Sequence, residues 1–449
     1  MCSRPFGPIV QAAVLAPTVL GTAGLLLASP ASGPDTTFPL LVLSIAGLAA
    51  VVAVARARSV PSMPSLFAAG TGLLLLAVAR PLHGSHDVWS YTMYGRVLAH
   101  HHRNPYVSRP LDFPGDPVLT HVDRAWRASR SVYGPGFTLL SALIVTFTAG
   151  SALAARVAFQ ALAAAAALAV SAVLVRSGAP RWVVAAVLLN PLLVVSVVNG
   201  GHNDLLVGLG VLLATLSVQR GRPAAAGGWF AAAALVKVVA LLPAGAAVSW
   251  TWRHHGRRPA WCLGATAAAP LALGWALFGG DAVVRPLLAA SHTESRASIW
   301  RPLAEEGSRS FAVQHLGLVT GIAVVGVAVL LAARGVTDGS PAPTVTAGVG
   351  AYLLAAGYVL PWYFAWALPV AALDSFKRTA RIVLAQSALL LVAYDYRVEP
   401  RPDGLDRLLH VTTAAVQAVA VAAVVAAAVG IAQDRRFWSR NRVVSRRAT

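Results

Sequence analysis

Apolar runs of about 16 to 25 residues recur along most of the chain, separated by short polar connections, and they decide what it can fold into. In hydrocarbon no water can bond a backbone N–H or C=O. Every such group must be satisfied within the chain, which leaves a helical bundle or a closed barrel. These runs are rich in Ala, Leu and Val and lack two-residue alternation, so they read as helices and not barrel strands. Composition agrees: 57% of the 449 residues are hydrophobic and 12% charged, against about 25% charged in soluble domains. The expected fold is all-α, a polytopic membrane helical bundle of about 11–13 spans forming one integral-membrane domain over 1–449. The first ~30 residues read as an uncleaved first helix, because further spans follow.

Several segments, 136–149, 362–373 and 382–393 among them, are short for a hydrocarbon core of about 30 Å and read as half-helices or kinked pairs. Lys237 and Pro243 interrupt the 225–250 stretch, which therefore enters and returns. The formal net charge is +19. On a soluble protein that would suggest nucleic acid. Here the arginines sit in short connections and in a basic tail over 434–449, as the positive-inside rule and anionic lipid favour, and no nucleic-acid motif accompanies them. The tail, the Arg56/Arg58 pair, the Arg220–Arg222 turn, the Arg253/Arg257/Arg258 cluster and the Lys377/Arg378/Arg381 group are expected on the cytoplasmic side. The 82–134 loop and the 279–310 loop are then external. Cys2 and Cys262 support neither a disulfide framework nor a cysteine metal site.

The 82–134 loop holds half of the twelve histidines and is the wettest part of the chain. Its start, Asp87 to His102, reads as an amphipathic juxtamembrane helix, with Val88, Tyr91, Val97 and Leu98 toward lipid and Trp89 and Tyr94 at headgroup level. Two readings stand: a helix resting on the membrane without chemistry, or a catalytic loop in which Asp87, beside His86 at the lipid boundary, serves as general base. Four further stretches accompany it. In "SVYGPGF", Tyr133 precedes a Gly-Pro-Gly turn. In "NPLLVVSVVNGGHNDLLVGL", Asn199, His202, Asn203 and Asp204 cluster between apolar runs; polar groups at membrane depth point to function, the alternative being that Asp204 caps the next helix. Lys237 in "ALVKVVALLP" either snorkels to the surface or binds a phosphate. The aromatics of "YVLPWYFAWALP" read as interfacial anchors. Consecutive histidines on a helix point about 100° apart, so His100–His102 do not converge on one ion, and no metal is expected.

Taken in order, "HDVWSYTMYGRVLAHHHRNPY", "VDRAWRASRSVYGPGF", "NPLLVVSVVNGGHNDLLVGLG", "LVKVVALLP" and "LPWYFAWALP" resemble the multi-spanning GT-C superfamily of polyprenyl-phosphate-sugar-dependent glycosyltransferases. Within it they are most similar to the actinobacterial polyprenol-phosphomannose-dependent α-1,6-mannosyltransferases, over roughly residues 80–375. The resemblance implies an essential acid in the first large external loop, and Asp87 is the matching position. Many superfamily members carry paired acids where this chain has His86-Asp87. His202, Asn203 and Asp204 match the second polar cluster. The candidate substrate-binding set is His86, Tyr91, Arg96, Tyr133, His202, Asn203, Asp204 and Lys237, with Arg124 and Arg127 as further cations. The resemblance implies a polyprenyl-phosphate-linked sugar donor, a lipid-anchored glycan acceptor, membrane lipids as surroundings, and no cofactor. A carrier of lipid-linked sugars is the alternative, since it too needs many spans and intramembrane polar groups.

Overall fold

The computed structural model describes residues 7–29, 32–58, 60–290, 294–295, 298–301, 315–335, 339–376, 380–394 and parts of 404–429. The basic 434–449 tail, Lys377, Arg378 and most of the second half of the 279–310 loop lie outside the described residues. Among the described residues there is helix and no strand. The chain is a polytopic helical bundle.

Helix starts follow from local chemistry. α1 (Pro8–Leu27), α2 (Pro34–Arg58) and α3 (Met63–Ala79) carry proline in the first turn, where its fixed φ suits a helix and its missing N–H costs nothing. Ser62 Oγ also accepts from the Ser65 N–H. α4 (Asp87–Ala99) and the one-turn α5 (Arg124–Arg127) belong to the polar loop. α6 (Pro135–Phe147) has 13 residues, about 20 Å of helix. α7 (Ala152–Arg176) is capped by Ser151 Oγ on the Ala154 N–H. Then come α8 (Arg181–Leu188), α9 (Asp204–Gln219), α10 (Pro223–Val236), α11 (Leu241–His255), α12 (Arg257–Leu277), α13 (Asp281–Ala290), α14 (Leu316–Gly335), α15 (Ala342–Ala355), α16 (Leu368–Leu373) and α17 (Ala380–Tyr394). By length and composition, α1, most of α2, α7 and α12 can cross a membrane; eight further apolar helices have 10–17 residues.

α8 and α9 form the centre. Val183 to Leu189 are buried throughout, and α9 is buried on nearly all sides. A helix apolar all round belongs in such a position. α1, α6, α12 and α14 lie outside and expose Leu20, Leu143, Leu277 and Ile322, side chains that lipid solvates.

Two apolar segments are broken where polar chemistry requires it. The 182–198 stretch ends as α8 at Leu188. Asn190 Oδ1 then accepts from the Leu192 and Leu193 N–H groups, and the chain resumes as a π-helical turn, Leu193–Val198. Such wide turns concentrate at functional sites. The 225–250 stretch breaks at Lys237, whose backbone is extended at φ −145°, ψ 130°, before a three-residue 3₁₀ turn leads into α11. Pro243 has no N–H for the residue 239 carbonyl and falls in the first turn of α11, just past the break.

α4 corrects the picture of a helix lying on lipid. Val88, Tyr91 and Val97 are fully buried and Tyr94 nearly so, because α4 packs along α6 and against α7. Its polar residues are buried with them: Thr92 Oγ1 donates to the Val88 carbonyl, and Arg96 pairs with Asp116.

Candidate active site

The linker between α3 and α4 is held by two amides from other helices. Asn199, fully buried, donates Nδ2 to the Ala77 and Pro81 carbonyls at 3.0 and 2.9 Å, and its Oδ1 accepts from the His83 N–H at 2.8 Å. Gln160 Nε2 of α7 donates to the Asn199 carbonyl at 2.7 Å. α4 therefore begins at a fixed place, with Asp87 as its first residue, where a carboxylate suits the helix dipole.

Across from Asp87 stand the residues of the π turn and the start of α9. His202 Nδ1 lies 3.4 Å from an Asp87 carboxylate oxygen and 3.4 Å from the Tyr91 hydroxyl. Its ring stacks on Trp362 at 3.9 Å. Asp204, with a fully buried side chain, accepts from Lys237 Nζ at 2.8 Å. Lys237 Nζ also lies 4.9 Å from the Tyr363 ring centroid and 5.4 Å from that of Trp366. Burial pushes the Asp87 carboxyl up. The hydrogen bond and charge of His202, the charge of Lys237 and a hydrogen bond from Tyr91 outweigh it and leave Asp87 below the ordinary carboxylate range. Burial, with the charge of Asp87 behind it, pushes the Tyr91 and Tyr133 phenols well above theirs, so both remain hydroxyl donors.

Asp87 and Lys237 sit at one end of a cavity of about 440 Å³. Trp126, Tyr133, Tyr358, Tyr363 and Trp366 complete its polar end. Its other walls are apolar: Leu241 and Leu242 of α11, Leu287 of α13, and Gly321, Val324 and Val325 of α14. Leu241 of α11 and Val325 of α14, on these apolar walls, are both exposed.

The Gly-Pro-Gly turn has a structural role beyond a turn. The Gly134 N–H donates to the Val236 carbonyl at 2.8 Å, and a Cβ at Gly134 would lie 2.2 Å from the Leu235 carbonyl oxygen. Only glycine lets the loop touch the end of α10 beside Lys237. Tyr106 Oη donates to the Tyr133 carbonyl at 2.7 Å and fixes the residue before it.

Of the residues expected at the site, Asp87, Tyr91, Tyr133, His202, Asp204 and Lys237 come together here, with Asn203 buried beside them. His86 and Arg96 do not. The exposed His86 has Nδ1 3.3 Å from the His121 carbonyl oxygen, and Arg96 donates Nε to both oxygens of the buried Asp116. Arg127 is committed to the Val122 and Thr120 carbonyls. His101 Nε2 lies 2.7 Å from Asp116, so the middle histidine of the run joins the loop's own ion pair. Among the described residues lining the cavity, Lys237 is the cation. Trp126, Tyr358, Tyr363 and Trp366 were not singled out by sequence, and the last three correct the reading of their segment as membrane anchors: Trp366 is 2% exposed, and the motif folds inward over His202 and Lys237.

Fold and site together define a polytopic membrane protein built around an amphiphilic cavity, with a carboxylate and an ammonium group at its polar end. The chain belongs to the alpha-(1->6)-mannopyranosyltransferase family: residues 40–254 match the N-terminal domain of the MptA/MptB family, and residues 289–430 match the MptB C-terminal domain. It is a hexosyltransferase, which requires a sugar donor and a glycan acceptor. A search of curated proteins finds no match.

Proposed function

We infer that the chain transfers mannose from a polyprenyl-phosphate carrier to a mannose 6-hydroxyl on a lipid-anchored, mannan-type acceptor, with inversion. The supporting observation is the two-ended cavity. Its apolar walls suit a prenyl chain, and its polar end suits a phosphate and two sugars. The acceptor oxygen attacks the anomeric carbon as the bond from that carbon to the phosphate oxygen breaks. Asp87 takes the hydroxyl proton. The bonding pair leaves with the phosphate, whose charge is met by Lys237 and by hydroxyls such as Tyr133. A β-linked donor then gives an α-linked product. His202 and Tyr91 hold the carboxylate in orientation, and Asp204 holds the ammonium. Phosphate leaves readily without a general acid, so one carboxylate suffices where glycosidases need two.

The 82–134 loop is the catalytic loop in this reading and stands on the external face, with the C-terminus cytoplasmic. Membranes containing the protein, given radiolabelled polyprenyl-phosphate mannose and a short α-mannoside, should yield a glycan one or more residues longer. A donor that only changes leaflet, with no longer glycan, would identify a carrier instead. Labelling residue 87, as a cysteine variant, only from the cytoplasmic side would refute the orientation.

A further inference from the structure

The walls of the large cavity come from two kinds of segment. α11, α13 and α14 supply apolar walls, which the proposed reaction gives to the prenyl chain. The 82–134 loop supplies Asp87, Trp126, Val132 and Tyr133. Around Trp126 that loop faces water, since Asp123, Arg124, Ala125 and Ala128 are all exposed. A glycan arriving from water therefore meets the loop wall first, and Trp126 is the largest side chain on it.

Trp126 is held in place before any ligand arrives. Asp123 Oδ1 accepts from the Ala125 N–H at 2.8 Å and caps α5. Arg127 donates to the Val122 and Thr120 carbonyls, both at 2.9 Å, and Tyr94 Oη donates to the Ser129 carbonyl at 3.0 Å. The indole packs against the cluster of Met93, Val97, Val118 and Val122. An aromatic ring fixed in this way binds with little further loss of freedom.

The same ring is left partly uncovered. Trp126 is partly exposed, and among the described residues it pairs with no other ring and its indole N–H has no hydrogen-bond partner. That N–H remains accessible, whereas those of Trp362 and Trp366 are shut in. The Tyr358 hydroxyl, on the same cavity, is likewise accessible and unbonded among the described residues. A flat apolar face with open hydrogen-bonding groups beside it matches a pyranose ring, which offers C–H groups for stacking and hydroxyls at its edge. A phosphate has no apolar face to stack, and a prenyl chain has nothing to bond.

We propose that Trp126 is the platform on which the terminal mannose ring of the acceptor stacks, with its hydroxyl turned to Asp87. The inference rests on the transfer reaction proposed above and assigns the acceptor its place within it.

The test uses the full chain in detergent micelles, with radiolabelled polyprenyl-phosphate mannose as donor and α-1,6-mannobiose as acceptor, each varied in turn. Trp126→Leu should raise the KM for mannobiose by about tenfold or more, the effect of losing an aromatic anchor, and leave the KM for the donor within about twofold. Trp126→Phe, which keeps a ring, should recover most of the acceptor affinity. A second measurement needs no turnover. Saturation-transfer NMR of mannobiose with the donor-free protein should give a strong signal in the wild type and none in Trp126→Leu. Equal rises in the two KM values, or a Phe variant no better than the Leu one, would make Trp126 a structural part of the loop and overturn the proposal. So would a rise in the donor KM alone, which assigns the ring to the donor sugar. A wild type that lengthens no glycan defeats the proposed reaction instead. The NMR signal then decides Trp126 by itself: its loss in Trp126→Leu supports the platform, and an equal signal in both overturns it.

Discussion

Lys237→Met separates the counter-ion role of one ammonium group from the catalytic role proposed for it. Lys237 Nζ and Asp204 Oδ1 are 2.8 Å apart, with side-chain exposures of 13% and 0%. At an effective dielectric of about 20, a pair at that distance attracts by about 6 kcal/mol, much of it offset by the desolvation of both ions. Removing only the lysine leaves a buried carboxylate unpaired, which costs about 3–5 kcal/mol of stability. Asp204→Asn in the same chain removes that charge and should restore most of the loss. Transfer should not follow. In the proposed reaction the leaving phosphate then lacks its nearest cation, and kcat should fall by about 10²–10³ in the single and the double variant alike. Thermal unfolding in detergent gives the stability of each, and initial rates with radiolabelled lipid-linked mannose give the transfer. Recovery of wild-type transfer in the double variant would refute the reasoning: Lys237 would then be only the counter-ion of Asp204.

Asp87→Asn should leave unfolding unchanged within about 1 kcal/mol and lower kcat by about 10²–10⁴, the range of a lost general base; near-normal transfer removes Asp87 from the chemistry. Because the folded pKa of Asp87 is depressed and the proposed mechanism uses its carboxylate, transfer should persist as pH falls below the ordinary carboxylate value of about 3.9. His202→Gln should move that acid limb upward, and an unmoved limb shows that His202 does not set it. The same depression contributes stability that is present above the unfolded pKa and lost as pH falls through the folded one. Gly134→Ala drives a Cβ into the Leu235 carbonyl and should push the loop off α10, lowering transfer tenfold or more with a stability cost of about 1–3 kcal/mol; an unchanged rate means the contact is incidental. Asn199→Ala removes the amide donor from the Pro81 carbonyl and one of two from the Ala77 carbonyl, and should cost about 1–3 kcal/mol by thermal unfolding, whereas an unchanged stability would show that water replaces the amide.

The membrane character of the chain was legible because it follows from local composition, and the interruption at Lys237 because proline and lysine announce it. The break at Asn190 was not, since Asn-Pro inside an apolar run resembles a tolerated kink. α4 misled because amphipathic periodicity reports which residues are apolar and not which are covered. Thr92 and Arg96 are buried with the apolar face, satisfied by a local carbonyl and by an aspartate 20 residues on. The site itself is a matter of long-range contact. Asp87 and His202 are 115 positions apart and Asp204 and Lys237 are 33 apart, and no spacing rule joins them. The tyrosines and tryptophans of 358–366 carried a readable signal, their density in one stretch. Anchors and cavity walls share that composition, and only burial tells them apart.

The shortness of α6 has a consequence for the surrounding bilayer. Leu139, Leu143 and Phe147 face outward along about 20 Å of helix, well under an ordinary hydrocarbon thickness of about 30 Å. Lipids beside it must compress or tilt to match, at a modest cost per ångström. That flank is where α6 packs along α4, so in the proposed reaction a lipid-anchored sugar there has a short climb to reach Asp87.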